Sequence, residues 1–238
     1  MKRIGSIIIL SCSIYVLMAC KKKHEEVTSN PPVSGYYKTY LALGDSYTIG
    51  QSVTEQERFP AQAVKLLQQY NIAVNTPEYI AVTGWTTRNL LDAIKINTPP
   101  TRSSYDFVTL LIGVNNQFQG RSQAEYTAEF NELLNAAVQL AGNDPKKVAV
   151  LSIPDWGVTP FATNYGYDKA LIAKQIDSFN VINKQATLAK NVAYIDITPL
   201  TRMAATDPSL VAADGLHPSG KAYAQWAALL APVMKASL

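Results

Sequence analysis

Along most of the chain, short apolar runs alternate with longer segments whose apolar positions recur at helical spacing. The runs Tyr40 to Leu43, Glu78 to Val82, Phe107 to Ile112, Val148 to Ile153 and Val192 to Ile197 are rich in Val, Ile, Leu or aromatic residues. The last four are apolar nearly throughout, the pattern of parallel strands covered on both faces. Between them lie helical segments near Pro60 to Tyr70, Thr87 to Ile96, Gln123 to Ala141 and Asp168 to Ala189, with a closing one from Gly220 to Met234. In the fourth, Ile172, Ile176, Phe179, Ile182 and Ala186 make one apolar face. This alternation, with no internal repeat, predicts one α/β domain over residues 38–238, layered α/β/α around a five-stranded parallel sheet.

An open parallel sheet places its functional groups in the loops outside the carboxyl ends of its strands. Those loops read Gly44-Asp45-Ser46, Thr83-Gly84-Trp85-Thr86-Thr87, Gly113-Val114-Asn115-Asn116 and Pro154-Asp155-Trp156-Gly157. After the fifth strand a longer excursion ends in Asp214-Gly215-Leu216-His217-Pro218. Ser, Gly, Asn, Asp and His therefore gather on one predicted edge.

A serine hydroxyl becomes a useful nucleophile when a neighbouring base takes its proton, and histidine is the usual base. The chain has two histidines. His24 falls in a polar linker, which leaves His217 as the base for Ser46. Asp214, three residues before it in a turn, is placed to orient the imidazole. An oxyanion needs donors already aimed at it, and the backbone N–H groups of Ser46 and Gly84 with the side-chain amide of Asn115 are the candidates. Trp85, Phe118, Trp156, Phe161, Tyr165 and Tyr167 lie in or near these loops and could wall an acyl or sugar pocket, since aromatic rings give flat apolar area with a polar handle. Trp85 and Trp156 are the first choices.

Taken together and in this order, Gly44-Asp45-Ser46, Gly84, Gly113-Val114-Asn115 and Asp214-Gly215-Leu216-His217-Pro218 resemble the four sequence blocks of the GDSL or SGNH hydrolases, over about residues 38 to 236. The resemblance implies a flavodoxin-like sheet, Ser46 as nucleophile, His217 as base, Asp214 as its partner and the three oxyanion donors just named, with no metal and no organic cofactor. The reaction implied is hydrolysis of a carboxylic ester through an acyl-enzyme on Ser46. An acetyl or other short-chain ester, on a glycan or a lysophospholipid, is the expected substrate. Two readings stand beside it: a non-catalytic envelope-binding lipoprotein that keeps the fold, and an O-acyltransferase. The pattern departs from the family at two places: Tyr47 stands where the family name has Leu, and Asn116 where an Asp is frequent. The second departure puts the hydrogen bonds of that loop in question.

Charge and composition narrow the field further. The chain is 238 residues long, 47% hydrophobic and 16% charged, a globular mixture. Its formal net charge of +3 comes entirely from the first 26 residues, so the body has no basic footprint for nucleic acid. Lys2 and Arg3 followed by an uncharged Ile4 to Ala19 read as an export signal too short for a membrane span, which takes roughly 18 residues or more. Leu17-Met18-Ala19-Cys20 resembles a bacterial lipobox, which implies cleavage after residue 19 and lipid attachment at Cys20. Residues 20–37 then form a tether rich in Pro and Ser that begins with Lys21, Lys22 and Lys23. The expected location is the bacterial envelope, anchored to the membrane by lipid, with Lys21 after the cysteine favouring the outer membrane. The other cysteine, Cys12, leaves with the signal, so the domain has no disulfide. Gly215 to Lys221 also has the spacing of a phosphate-binding loop, but Ala222 stands where a Ser or Thr should hold Mg²⁺, and Pro218 removes an N–H from the cradle.

Overall fold

A computed structural model describes residues 37–238; the proposed signal, Cys20 and nearly all of the tether lie outside the described residues. Five strands form one parallel sheet: β1 Tyr40–Gly44, β2 Glu78–Ala81, β3 Phe107–Leu111, β4 Val148–Leu151 and β5 Ala193–Ile195. Their spatial order is β2-β1-β3-β4-β5. That order reverses direction beside β1, and the reversal opens a crevice at the carboxyl edge of the sheet. The register sets Gly44 opposite both Ala81 and Leu111, so the loops after β1, β2 and β3 leave the sheet level with one another. β1, β3 and β4 are buried along their whole length, which explains their continuous apolar runs.

Helices cover both faces. The long ones are α2 (Phe59–Leu67), α5 (Gln123–Leu140), α7 (Lys169–Ala189) and α9 (Gly220–Ser237), with α3 (Thr87–Asp92) continuing into a wider turn over Ala93–Asn97. Ser122, Asp168 and Ser219 cap α5, α7 and α9 by accepting the N–H three residues on. Short helices follow four of the strands: α1 (Ser46–Ile49), α4 (Val114–Phe118), α6 (Pro160–Asn164) and α8 (Thr198–Arg202). The apolar periodicity left these out because a single turn carries no period to read.

The predicted fold class is observed: a five-stranded parallel sheet between helical layers. The fifth strand is shorter than the apolar run that announced it. Ser152, at the end of β4, accepts the N–H of Ile197 and of Thr198 on its hydroxyl, which bends the chain into α8 after Ile195.

The two ends of the domain are joined by α2 packed along α9. Phe59 lies 5.9 Å from Trp226 and 6.2 Å from Tyr223 between ring centroids, all three fully buried. Gln62 adds a polar tie, its amide donating to the carbonyls of Glu57 and Gly220. Burying three large aromatic side chains contributes several kcal/mol, at about 25 cal/mol per Å² of apolar area. Since α2 follows the serine loop and α9 follows the histidine loop, this packing sets the two loops side by side.

Candidate active site

Gly44 ends β1 in a place with no room for a side chain, because a Cβ there would come within 2.4 Å of the Leu111 carbonyl oxygen. The chain then turns at Asp45, whose carboxylate caps α1 by accepting the Tyr47 N–H at 3.0 Å. Ser46 is thereby the first residue of a short helix, where backbone N–H groups have no partner inside the helix. Burial pushes the Asp45 carboxyl up to about 7, against the lowering effect of that N–H.

Across 171 residues of sequence, Ser46 Oγ meets His217 Nε2 at 2.9 Å. His217 Nδ1 lies 2.6 Å from Asp214 Oδ2. The other oxygen of Asp214 accepts the N–H groups of Leu216 and His217, so the carboxylate is fixed by the turn it sits in. Partial burial raises the Asp214 carboxyl, but bonds from the His217 ring, the Leu216 N–H, the Ser52 hydroxyl and the His217 N–H outweigh it and hold the group at about 2. It is therefore ionised at any pH where the imidazole could act as a base, and an anion beside Nδ1 keeps the proton on that nitrogen, leaving Nε2 as acceptor toward Ser46.

Two neighbours of this relay carry no signature that sequence reasoning could have used. Ser52 donates to Asp214 Oδ2 at 2.7 Å from a left-handed backbone conformation, φ 68°. Tyr47, noted in the sequence only as a departure, packs its ring 5.0 Å from the imidazole.

Gly84 and Asn115 line the same cleft as Ser46 and His217. At Gly84 the backbone has φ +83°, and a Cβ there would meet no protein atom. Glycine is needed for the turn itself, rather than for lack of space between protein groups. The loop carrying it is held by three side chains of α4 and the residue after it. Asn115 donates one amide hydrogen to the Trp85 carbonyl at 2.9 Å, and Gln119 reaches the Gly84 carbonyl. Asn116 answers the question raised by its identity. Its amide oxygen accepts the Thr87 N–H at 3.0 Å while its NH₂ donates to Thr87 Oγ1 at 2.7 Å. The Thr87 hydroxyl passes its own hydrogen to the buried Glu129, which Arg88 neutralises at 2.9 Å.

The cleft is open to solvent, spans about 480 Å³ with its mouth included, and is walled by Val114, Phe118, Trp156, Phe161 and Leu216. Trp156 is buried, with its indole N–H donating to Gln117 at 2.8 Å. Trp85 does not line the cleft; its ring packs against the core and its carbonyl oxygen is what touches Asn115. The wall it was expected to form belongs to Phe118, the last residue of α4, and Phe161, the second of α6. Lys221, in the phosphate-loop look-alike, is tied to Asp207 and Ser209 at the surface. Among the described residues, no group of three or more His, Cys, Asp or Glu could hold a metal ion.

The model of the GDSL-like Lipase/Acylhydrolase family matches residues 42–225. No curated protein sequence matches the chain significantly. Among solved structures, a lipase/acylhydrolase from Enterococcus faecalis superimposes with a TM-score of 0.66 at 17% identity, covering 84% of this chain and 96% of that one. An acetylxylan esterase from Geobacillus stearothermophilus gives 0.64 at 18%, covering 84% and 95%. A lipase from a goat rumen metagenome gives 0.64 at 20%, covering 82% and 97%. At such identities the structural likeness speaks to the fold.

Proposed function

The chain belongs to the GDSL-like lipase/acylhydrolase family and is thus an ester hydrolase; from that premise we propose that it cleaves small acyl esters through an acyl-enzyme on Ser46. The observation that carries this reading is the continuous relay from Ser46 Oγ through both nitrogens of His217 to an ionised Asp214.

In the proposed reaction Ser46 Oγ attacks the acyl carbonyl as His217 Nε2 takes its proton. The carbonyl oxygen becomes an oxyanion held by the N–H groups of Ser46 and Gly84 and by the second amide hydrogen of Asn115. Each such donor, set before the reaction begins, lowers the barrier by about 3 to 4 kcal/mol. Collapse breaks the ester C–O bond, and the imidazolium gives its proton to the departing alkoxide. Water then enters, loses a proton to His217 and attacks the acyl-serine, which releases the acid and restores Ser46.

Short acyl groups suit a cleft that is open and walled by aromatic rings near the serine. The acetylxylan esterase among the structural relatives is consistent with an O-acetyl group on a glycan as substrate. The sequence of residues 1–23 supports placing the enzyme at the bacterial envelope, held by lipid on Cys20, with the outer membrane favoured.

The test is hydrolysis of p-nitrophenyl esters of increasing chain length by the wild-type chain and by Ser46→Ala. The expected result is a short-chain optimum and a loss of kcat of at least about 10³-fold in the variant. Mass spectrometry of quenched wild-type enzyme should find one acyl group on the peptide containing Ser46. Equal rates for the two proteins would overturn the reading.

A further inference from the structure

Beside the cleft lies a set of aromatic rings far more exposed than core packing explains. Tyr165 is 72% exposed, Phe118 49% and Tyr167 40%. They form one connected surface. Tyr167 packs on Trp156 at 4.9 Å, on Phe161 at 6.0 Å with ring planes 20° apart, and on Phe118 at 6.2 Å. Tyr165 extends it outward from Phe161 at 4.7 Å. The base is rigid, because buried Trp156 is pinned through Gln117 to Gln175 on α7. Keeping so much aromatic area in water costs free energy unless something covers it.

Its position relative to the proposed chemistry says which part of a substrate would do so. In that mechanism His217 protonates the leaving alkoxide, so the alcohol half of the ester departs past the histidine loop. Phe161 is attached to that loop, its N–H donating to the Gly215 carbonyl at 2.9 Å. Phe161 and Tyr165 therefore flank the alcohol side, while Phe118 stands beside Asn115 on the oxyanion side. An open aromatic face that carries two phenol groups suits a ring that has apolar C–H faces and hydroxyl edges. A fatty chain would call for enclosed aliphatic walls instead.

We propose that Phe161, Tyr165 and Tyr167 form a stacking subsite for a sugar ring, so that the alcohol half of the substrate is a carbohydrate. This rests on the esterase reading for the direction of departure, and it adds to the glycan-ester substrate the residues that hold its sugar. The subsite contributes to ground-state binding of the alcohol half and leaves the acyl half untouched.

The experiment compares Tyr165→Ala and Tyr165→Phe with the wild-type full chain on two substrates, a partly O-acetylated cello-oligosaccharide and ethyl acetate. Tyr165 is a surface residue, so its truncation should not disturb the fold. The expected result is a KM about five- to tenfold higher on the oligosaccharide for Tyr165→Ala, with kcat unchanged. Ethyl acetate, which has no ring, should show no change, and Tyr165→Phe should keep most of the affinity. An unchanged KM on the oligosaccharide overturns the subsite, as does an equal loss on both substrates. A larger effect of Tyr165→Ala on a micellar long-chain ester than on the oligosaccharide would overturn it in favour of a lipid surface. A separate arm needs no turnover: Ser46→Ala titrated with the same oligosaccharide should show saturable quenching of tryptophan fluorescence, weakened by adding Tyr165→Ala. Wild type inactive on both esters but Ser46→Ala still binding would overturn the esterase reading and support the subsite; activity on ethyl acetate without sugar binding would do the reverse.

Discussion

Asp45 sits one residue before the proposed nucleophile, buried, with its carboxyl raised to about 7. Unfolded, the same group titrates near 3.8. The folded protein thus holds the proton more tightly than the unfolded chain between about pH 4 and pH 7, so this residue makes stability fall as pH rises through that window and then level off. Asp214 acts in the opposite sense and lower down: depressed to about 2, it adds stability above its unfolded value and loses it as pH falls toward 2. Asp45→Asn keeps a side-chain oxygen for the Tyr47 N–H but carries no charge. Urea unfolding at pH 4, 5.5 and 7.5 should show that the variant lacks the decline attributed to Asp45. Parallel profiles for the two proteins would refute it. The sequence alone marked Asp45 only as part of a turn, because a raised carboxyl depends on burial by distant residues.

Between α4, α3 and α5, one hydrogen-bond chain fixes the loop that presents Gly84. Its order is directional: Asn116 NH₂ to Thr87 Oγ1, Thr87 hydroxyl to Glu129, with Arg88 on the far carboxylate oxygen. A threonine hydroxyl has a single hydrogen, and Glu129 already takes it. Asn116→Asp would restore the residue frequent at this place in the family. Here it should be harmful, since the new carboxylate would face Thr87 Oγ1 with no hydrogen to accept and a second anion nearby. We expect a loss of about 1 to 3 kcal/mol at pH 8, partly recovered on acidification as the new group protonates, together with a lower kcat on a short ester. Equal or greater stability for Asn116→Asp would contradict this account of the loop. The departure at 116 was visible in the sequence; that Thr87 and Glu129 complete it was not, because residues 29 and 13 positions away meet only across packed helices.

For the whole molecule, the central fact is the closure of the domain by α2 against α9. Phe59, Tyr223 and Trp226 bring the loops at Ser46 and His217 into contact, and the interior carries no disulfide to help. No helix among the described residues is long and apolar enough to cross a membrane, and the lipid proposed on Cys20 has its own test. Changing Cys20 to Ala should abolish incorporation of labelled fatty acid in a bacterial host and release activity from the membrane fraction. Labelling that persists would rule out this cysteine as the attachment point.

What the sequence determined by itself was the set of elements and the edge they share. Buried parallel strands leave continuous apolar runs, and long helices leave a period, so five strands and the long helices could be read directly. Ser46, Gly84, Asn115, Asp214 and His217 could be named because each follows a strand and each has a side chain or backbone suited to acyl transfer. Only the tertiary structure decided which groups touch. The 2.9 Å approach of Ser46 to His217, the bond from Ser52 to Asp214, and the choice of Phe118 and Phe161 over Trp85 among the aromatic candidates all arise from contacts between segments remote in sequence. One-turn helices and irregular loops place those groups, and they carry no periodicity from which a direction could be read.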